Sequence, residues 1–376
     1  MGDFTSIDLG DQGLLEAYLT CARKALLSQT YSNLLEHQQK LSLESLDSGI
    51  ATKINAYQAE MFTHARTFNN QSMPAIIHQM TYASNFSALM SALKKILEKK
   101  GQLALDDIKD ISAQVASIKE TANTYEIFAS ALNTKLGVTW DSLQPMISNY
   151  KKTIAELETS LTAASKTISQ EISDLTALTD QNIQGIIDGG NKAGSGVTEI
   201  GDTIIATLNV SNEDEKKPDK EKGKKAKAKT DSNELPTQYL VSGLNAIAGG
   251  IASSSQAAND LKLNNEKLAA AYQELARVNS LLSVAKSIEA QNELFTSAFQ
   301  STKTAAAQLH NGWKSVTTSF ANAENVISSL NNVEDIQSLK SVVNQGALKW
   351  KILSDQIDVI KLNYANVSGA SISIAS

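Results

Sequence analysis

Four histidines, at 37, 64, 78 and 310, and a single cysteine, Cys21, are the whole stock of residues this chain could bring to a transition metal or a thiol reaction. The histidines form no HExxH or comparable pair, and one cysteine cannot make a CxxC site. No P-loop occurs, and the glycines at 185–201 match no dinucleotide fingerprint. No carboxylate pair stands apart from those expected on helix faces. We therefore expect no enzyme, no bound metal and no cofactor. His78 is expected as a packed bundle histidine, and Trp140, Trp313 and Trp350 as packing anchors. What the sequence is equipped for is a transfer between water and apolar surroundings, and the residues for it lie in 183–251.

That segment is Gly-rich and apolar at both edges and charged in its middle. Gly185, Gly189, Gly190, Gly194 and Gly196 crowd its entry, and Gly249 and Gly250 its exit, where they are expected to act as hinges. Between 197 and 210 the residues alternate. One alternate face is Ile200, Asp202, Ile204, Ala206, Leu208 and Val210, and the opposite face is Glu199, Gly201, Thr203, Ile205, Thr207 and Asn209. Period-2 alternation with Ile and Thr argues a half-buried strand. A second short apolar run, YLVSGLNAIAGGI at 239–251, carries Leu240 and Leu244. Thirteen residues are too few to cross a bilayer as a helix but enough as a strand. A β-hairpin tongue is the simplest reading and an amphipathic helix pair the alternative. Between the two runs, residues 211–236 hold eight lysines and seven acids, a solvated tip loop.

The flanking elements must present this head. Ile147, Tyr150, Ile154, Leu157, Leu161, Ala164 and Ile168 follow one another at alternating spacings of 3 and 4, and Leu268, Ala271, Leu275, Val278, Leu282 and Ala285 do the same on the far side. Each set is one stripe of a helix. Residues 251–311 lack Gly and Pro, enough for one helix of about 90 Å. Two antiparallel helices with facing seams are expected, carrying 183–251 between them. Shorter helices are expected over 12–46, 49–70, from Pro74 to Leu97 and over 334–366, with a kink bracketed by Gly137 and Pro145. The fold class is mainly α: an elongated bundle of about five helices, two of them very long, with 1–182 and 252–376 as tail and 183–251 as head.

Composition agrees. The chain has 376 residues, four of them Pro, and a net charge of −6 with both signs interspersed, so nucleic acid is not an expected partner. The N-terminus MGDFTSIDLG lacks the basic and apolar regions of a cleaved secretory leader, and no run of 18 apolar residues encodes a transmembrane helix.

A helical tail with two very long helices interrupted by a Gly-rich apolar head resembles the α-helical pore-forming toxins of the cytolysin A, haemolysin BL and non-haemolytic enterotoxin group. It resembles most the tripartite toxins of Gram-negative bacteria. The resemblance implies a monomer in solution, secreted without a recognisable cleaved leader, that rearranges on a target cell membrane and joins other toxin components in a hetero-oligomeric ring. The polar interruptions at Glu199, Asp202, Thr203, Thr207, Asn209 and Asn245 resemble the amphipathic, lumen-lining lytic component A rather than a bilayer-spanning one. On that reading Ile200, Ile204, Leu208, Val210, Leu240 and Leu244 face lipid or a partner, and Glu199, Thr203, Thr207 and Asn209 face the lumen. The competing readings are a coiled-coil adaptor with a partner-docking head, and the membrane-anchoring component of the same toxin type.

Overall fold

The computed structural model describes residues 7–36, 48–99, 105–159, 161–189, 240, 244, 256–329 and 333–367. Its helices are α1 (Leu14–Glu36), α2 (Ser48–Thr67), α3 (Met73–Lys99), α4 (Leu105–Glu158), α5 (Ala163–Gly189), α6 (Gln256–Val278), α7 (Ser280–Ser328) and α8 (Val333–Val367). No strand occurs among the described residues. The expected α class is observed, with α4 at 54 residues and α7 at 49 as the two very long helices.

Two expectations are corrected. The helices read as separate over 49–70 and from Pro74 are joined by a π-turn, Phe68–Ser72. A proline denies its helix one N–H and crowds the carbonyl four residues back, and a widened turn just before Pro74 meets that demand. The single return helix of 251–311 is two helices, α6 and α7, separated at Asn279.

The chain forms two compact units. One comprises residues 1–23, 72–137 and 301–362. Within it α4 and α7 run antiparallel, with Lys119 on Glu324 at 2.7 Å and His310 beside Glu126 at 3.9 Å. Phe86, Trp313, Phe320 and Trp350 fill its centre, with Phe86 4.3 Å from Trp350 and 5.4 Å from Trp313 between ring centroids. Such aromatics supply most of a core's buried area. The Trp313 indole N–H donates to the Tyr18 hydroxyl at 3.0 Å, and that hydroxyl donates to the Gln79 carbonyl at 2.7 Å, so both polar tips are satisfied in the dry interior. Trp313 and Trp350 are anchors as expected. His78 is exposed on α3 with its ring edge toward Tyr82, not packed inside.

The N-terminal strap is pinned to α8 of this unit. The Trp350 indole donates to the Leu9 carbonyl at 2.9 Å, and Lys349 pairs with Asp8 at 2.9 Å. Gly346 makes the approach possible, because a Cβ there would lie 2.7 Å from the Leu9 carbonyl oxygen.

The other unit comprises residues 24–71, 138–300 and 363–376. Tyr57 of α2 stacks on Tyr150 of α4 at 3.7 Å, and Phe68 meets Phe295 and Phe299 of α7 edge-on.

Gly346→Ala should destabilise by about 1–3 kcal/mol through overpacking against backbone that cannot turn aside. Gly185→Ala, with open space around its Cβ inside α5, should instead stabilise by about 0.5–1 kcal/mol. Urea unfolding of the two variants checks the opposite signs.

Candidate functional site: a folded-back helical arm

In the second unit, α5 and α6 pack along one another as an arm, and the chain turns sharply where it enters α5 and where it leaves α6. At one corner the Ser169 hydroxyl donates to the Glu158 carboxylate, 11 residues away. At the other, the Ser283 hydroxyl donates to the Tyr272 carbonyl at 3.1 Å, and the Tyr272 hydroxyl to the Lys286 carbonyl at 3.3 Å. A straight helix would separate residues 272 and 286 by about 21 Å. The chain therefore reverses between α4 and α5 and again between α6 and α7.

Side-chain caps make these reversals. Asn279 closes α6 with its N–H on the Leu275 carbonyl at 2.7 Å. Its Oδ1 then accepts the Leu282 N–H at 3.0 Å and starts α7. Thr162 does the same for α5, accepting the Ser165 N–H on Oγ1 at 3.3 Å. Thr159 ends α4, bonding the Ala155 and Glu156 carbonyls. Asn and Thr favour such positions because the short polar side chain replaces a missing helical partner. These caps were the readable signal for the breaks, and the uninterrupted hydrophobic spacing masked it.

The seam residues record the interruption. Tyr150, Ile154, Leu157, Ile168, Leu268, Ala271, Leu275, Leu282 and Ala285 are buried. Ala164 and Val278, which sit at the corners, are exposed, Val278 by 57%. The seam is written across both corners, but the folded-back form uses it only on either side of them.

Where the arm meets α4 and α7 the interior is polar. The Lys286 ammonium, 6% exposed, donates to Ser173 of α5 at 2.9 Å and to Glu289 at 2.6 Å, with Glu158 of α4 at 3.7 Å. Burial raises the Glu289 carboxyl above the usual range, outweighing the attraction of Lys286. On the face of α5 toward α7, the Ser297 hydroxyl donates to Asp180 at 2.6 Å, and burial raises that carboxyl as well. Lys24 of α1 donates to Gln184 of α5 at 2.9 Å. Asn264, Asn265, Gln291 and Asn292 are also buried in this unit.

Of the head residues expected from sequence, Leu240 and Leu244 are described. Both are helical and fully buried, which corrects the strand reading at these two positions in favour of the helical alternative. Spacing by four places both on one side of a helix. Gly185 lies inside α5 and Gly189 at its last residue, so Gly185 is helical and the turns fall at the capped corners instead. The helix also passes the expected tail–head boundary at 182 without a break, burying Ile183 and Ile187. Ile200, Ile204, Leu208, Val210, Glu199, Thr203, Thr207, Asn209, Gly190, Gly194, Gly196, Gly249, Gly250 and the loop 211–236 lie outside the described residues. Among the described residues no cluster of His, Cys, Asp and Glu could hold a metal, and no helix is long and apolar enough to cross a membrane. Cys21 is buried and its thiol is pushed up to about 12 by desolvation.

This helical fold is matched among solved structures of α-pore-forming toxin components. The sequence model of the Bacillus haemolytic enterotoxin (HBL) family matches residues 8–185. Soluble SmhA of the tripartite α-pore-forming toxin Smh from Serratia marcescens is 31% identical, with 97% of each chain covered and a TM-score of 0.75. The chain belongs to this family and is a component of the tripartite α-pore-forming toxin type. Soluble SmhB of the same toxin is 17% identical, with 95% of this chain and 93% of that chain covered and a TM-score of 0.70. The SmhB pore form is 18% identical, with 95% and 100% covered, and its TM-score is 0.56. The described conformation is thus nearer the soluble arrangement of SmhB than its pore. No curated protein sequence matches the chain significantly.

Asn279→Ala keeps the backbone N–H on the Leu275 carbonyl and removes the Oδ1 cap that starts α7 at the second corner. It should destabilise the folded-back form by about 1 kcal/mol while leaving helix content by far-UV circular dichroism unchanged. Urea titration followed by hydrogen exchange on α6 checks the loss.

Proposed function

We propose that this chain is the amphipathic, lumen-lining lytic component of its toxin, the component A type, and that it lyses target cells only together with its partner components. It leaves the producing cell as a soluble monomer. At the target membrane α4 with α5, and α6 with α7, straighten through their corners and carry the head, 183–251 with its tip loop 211–236, into the bilayer. The observation that carries the rearrangement is the heptad seam running through both corners while Ala164 and Val278 stand exposed in the folded-back form. Straightening returns these residues to a buried stripe. Likeness to SmhA along the whole chain supports the component assignment, as do the polar residues Glu199, Asp202, Thr203, Thr207 and Asn209 in the first run of the head.

Two head faces would then do different work. Ile200, Ile204, Leu208, Val210, Leu240 and Leu244 meet lipid or a partner's apolar surface, and Glu199, Thr203, Thr207 and Asn209 line the water-filled lumen. A tip with eight lysines is costly to pass through hydrocarbon unaided. Partners that open the path explain how such a head enters at all.

Locking a corner tests the rearrangement. Glu158→Cys with Ser169→Cys, joined by a short reducible thiol crosslinker, should abolish lysis in the complete mixture, and reduction should restore it. Cys21 stays unmodified because it is buried. Lysis by the locked protein would refute straightening at that corner.

The component assignment predicts that the pure protein leaves erythrocytes intact and that adding partner components confers lysis. In the complete mixture Ile204→Asp or Leu208→Asp should abolish it, since a charge on a lipid-facing position costs about 2–4 kcal/mol per subunit. Charge changes at Thr203 or Thr207 should spare lysis and shift single-channel ion selectivity. Equal loss from both sets would remove the two-faced head.

A further inference from the structure

Two half-buried carboxylates sit where the arm meets the rest of its unit. Asp180 projects from α5 toward α7 and α1. It faces the Ser297 hydroxyl and Glu293 of α7, Lys24 and Tyr31 of α1, and Gln184 of its own helix. The Tyr31 hydroxyl is buried without a hydrogen-bond partner. Glu289 sits on α7 among Lys286 and Glu293 of its own helix, Lys151, Tyr150 and Glu158 of α4, Tyr57 of α2, Tyr272 of α6 and, through Lys286, Ser173 of α5. Lys151 is itself engaged by Glu293 at 2.6 Å, so Glu289 is paired directly with Lys286 alone. The arm thus closes over more negative charge than the neighbouring ammonium groups neutralise in place.

We infer that Asp180 and Glu289 form a protonation latch: mild acid holds the arm folded back, and neutral to alkaline pH loosens it. This rests on the arm release proposed above. Once the arm lifts, both carboxylates meet water and burial no longer opposes their ionisation. The folded-back form therefore binds more protons than the released form, beginning at the ordinary carboxylate range and extending upward through the raised range of the closed state. Linkage then makes the closed form lose stability as pH rises through that window, the reverse of an acid-triggered opening. The tyrosines facing the pair are pushed further above their ordinary range by burial, so they stay neutral throughout. His64 of the same unit is shifted down by burial and gives the opposite slope, but it is common to any pair of variants compared.

The test uses the full chain with spin labels on two exposed positions of the unit, Glu60→Cys on α2 and Leu178→Cys on α5, Cys21 remaining unlabelled in the core. Urea titrations at pH 5.0 and 8.0 follow the interlabel distance and far-UV circular dichroism together. The latch requires a lower distance midpoint at pH 8.0 than Asp180→Asn with Glu289→Gln shows at that pH, with the gap between the two proteins narrower at pH 5.0. An equal pH dependence in wild type and variant overturns it. Should the double variant lose its helices, Asp180→Asn alone makes the same comparison. If distance and helicity are lost at one common midpoint, separate arm release fails, and the pH dependence of that shared midpoint still decides the latch.

Discussion

The closed form depends on a competition at two corners between a side-chain cap and one more turn of helix. At 159–162 and at 279 the polar side chains terminate helices that the hydrophobic spacing would continue. A cap contributes about 1 kcal/mol. Continuation gains backbone hydrogen bonds and reburies side chains of the size of Val and Ala, again of the order of 1 kcal/mol each. Neither outcome dominates locally, so the choice passes to packing further away. Ile172, Leu175, Ile183 and Ile187 of α5 and Leu261, Leu268 and Leu275 of α6 are buried, and they hold the arm down.

What they hold it against differs from the other unit's core. There, Trp313, Trp350, Phe86 and Phe320 interlock, and the Trp313 indole and Tyr18 hydroxyl are satisfied in a chain of hydrogen bonds that ends on the Gln79 carbonyl. Under the arm lie Lys286, Glu289, Asp180, several amides and hydroxyls, among them a buried Thr179 hydroxyl with no partner. A buried ion pair returns little net stability because desolvation consumes most of the attraction. Unsatisfied polar atoms cost more still. Elements that must move are drawn from the least stable part of a structure, and here that part is recognisable by its chemistry.

Much of this was legible in the sequence. The helix positions follow from hydrophobic spacing. The seam was also read correctly as a seam. Its misreading as one continuous helix per side came from treating periodicity as a description of a single state. Asn279 and Thr162 are weak signals within a strong one, since Asn and Thr also occur in helix interiors. Strand character at 239–251 failed at Leu240 and Leu244 because a spacing of four satisfies both period 2 and one helical turn. The π-turn that joins α2 to α3 went unread for a similar reason, since it leaves no mark in a hydrophobic pattern. Gly346 shows the other limit: only the Leu9 carbonyl lying over it explains a glycine inside α8.

A sequence that must serve two arrangements cannot be optimal for either. Along α5, Ile168, Ile172 and Leu175 recur as a helix seam requires, yet Ser169, Thr176 and Thr179 are buried beside them and Asp180 is half-buried in the closed form. Replacing those four by apolar residues would strengthen the fold-back and leave the extended helix with a broad sticky face. Keeping them polar weakens the fold-back and keeps the extended helix narrow-seamed, able to pair along one stripe without associating indiscriminately. The polar burial under the arm is therefore the trace of the second state within the first. The corners and the arm interface are two parts of one balance, set so that release needs only a modest push.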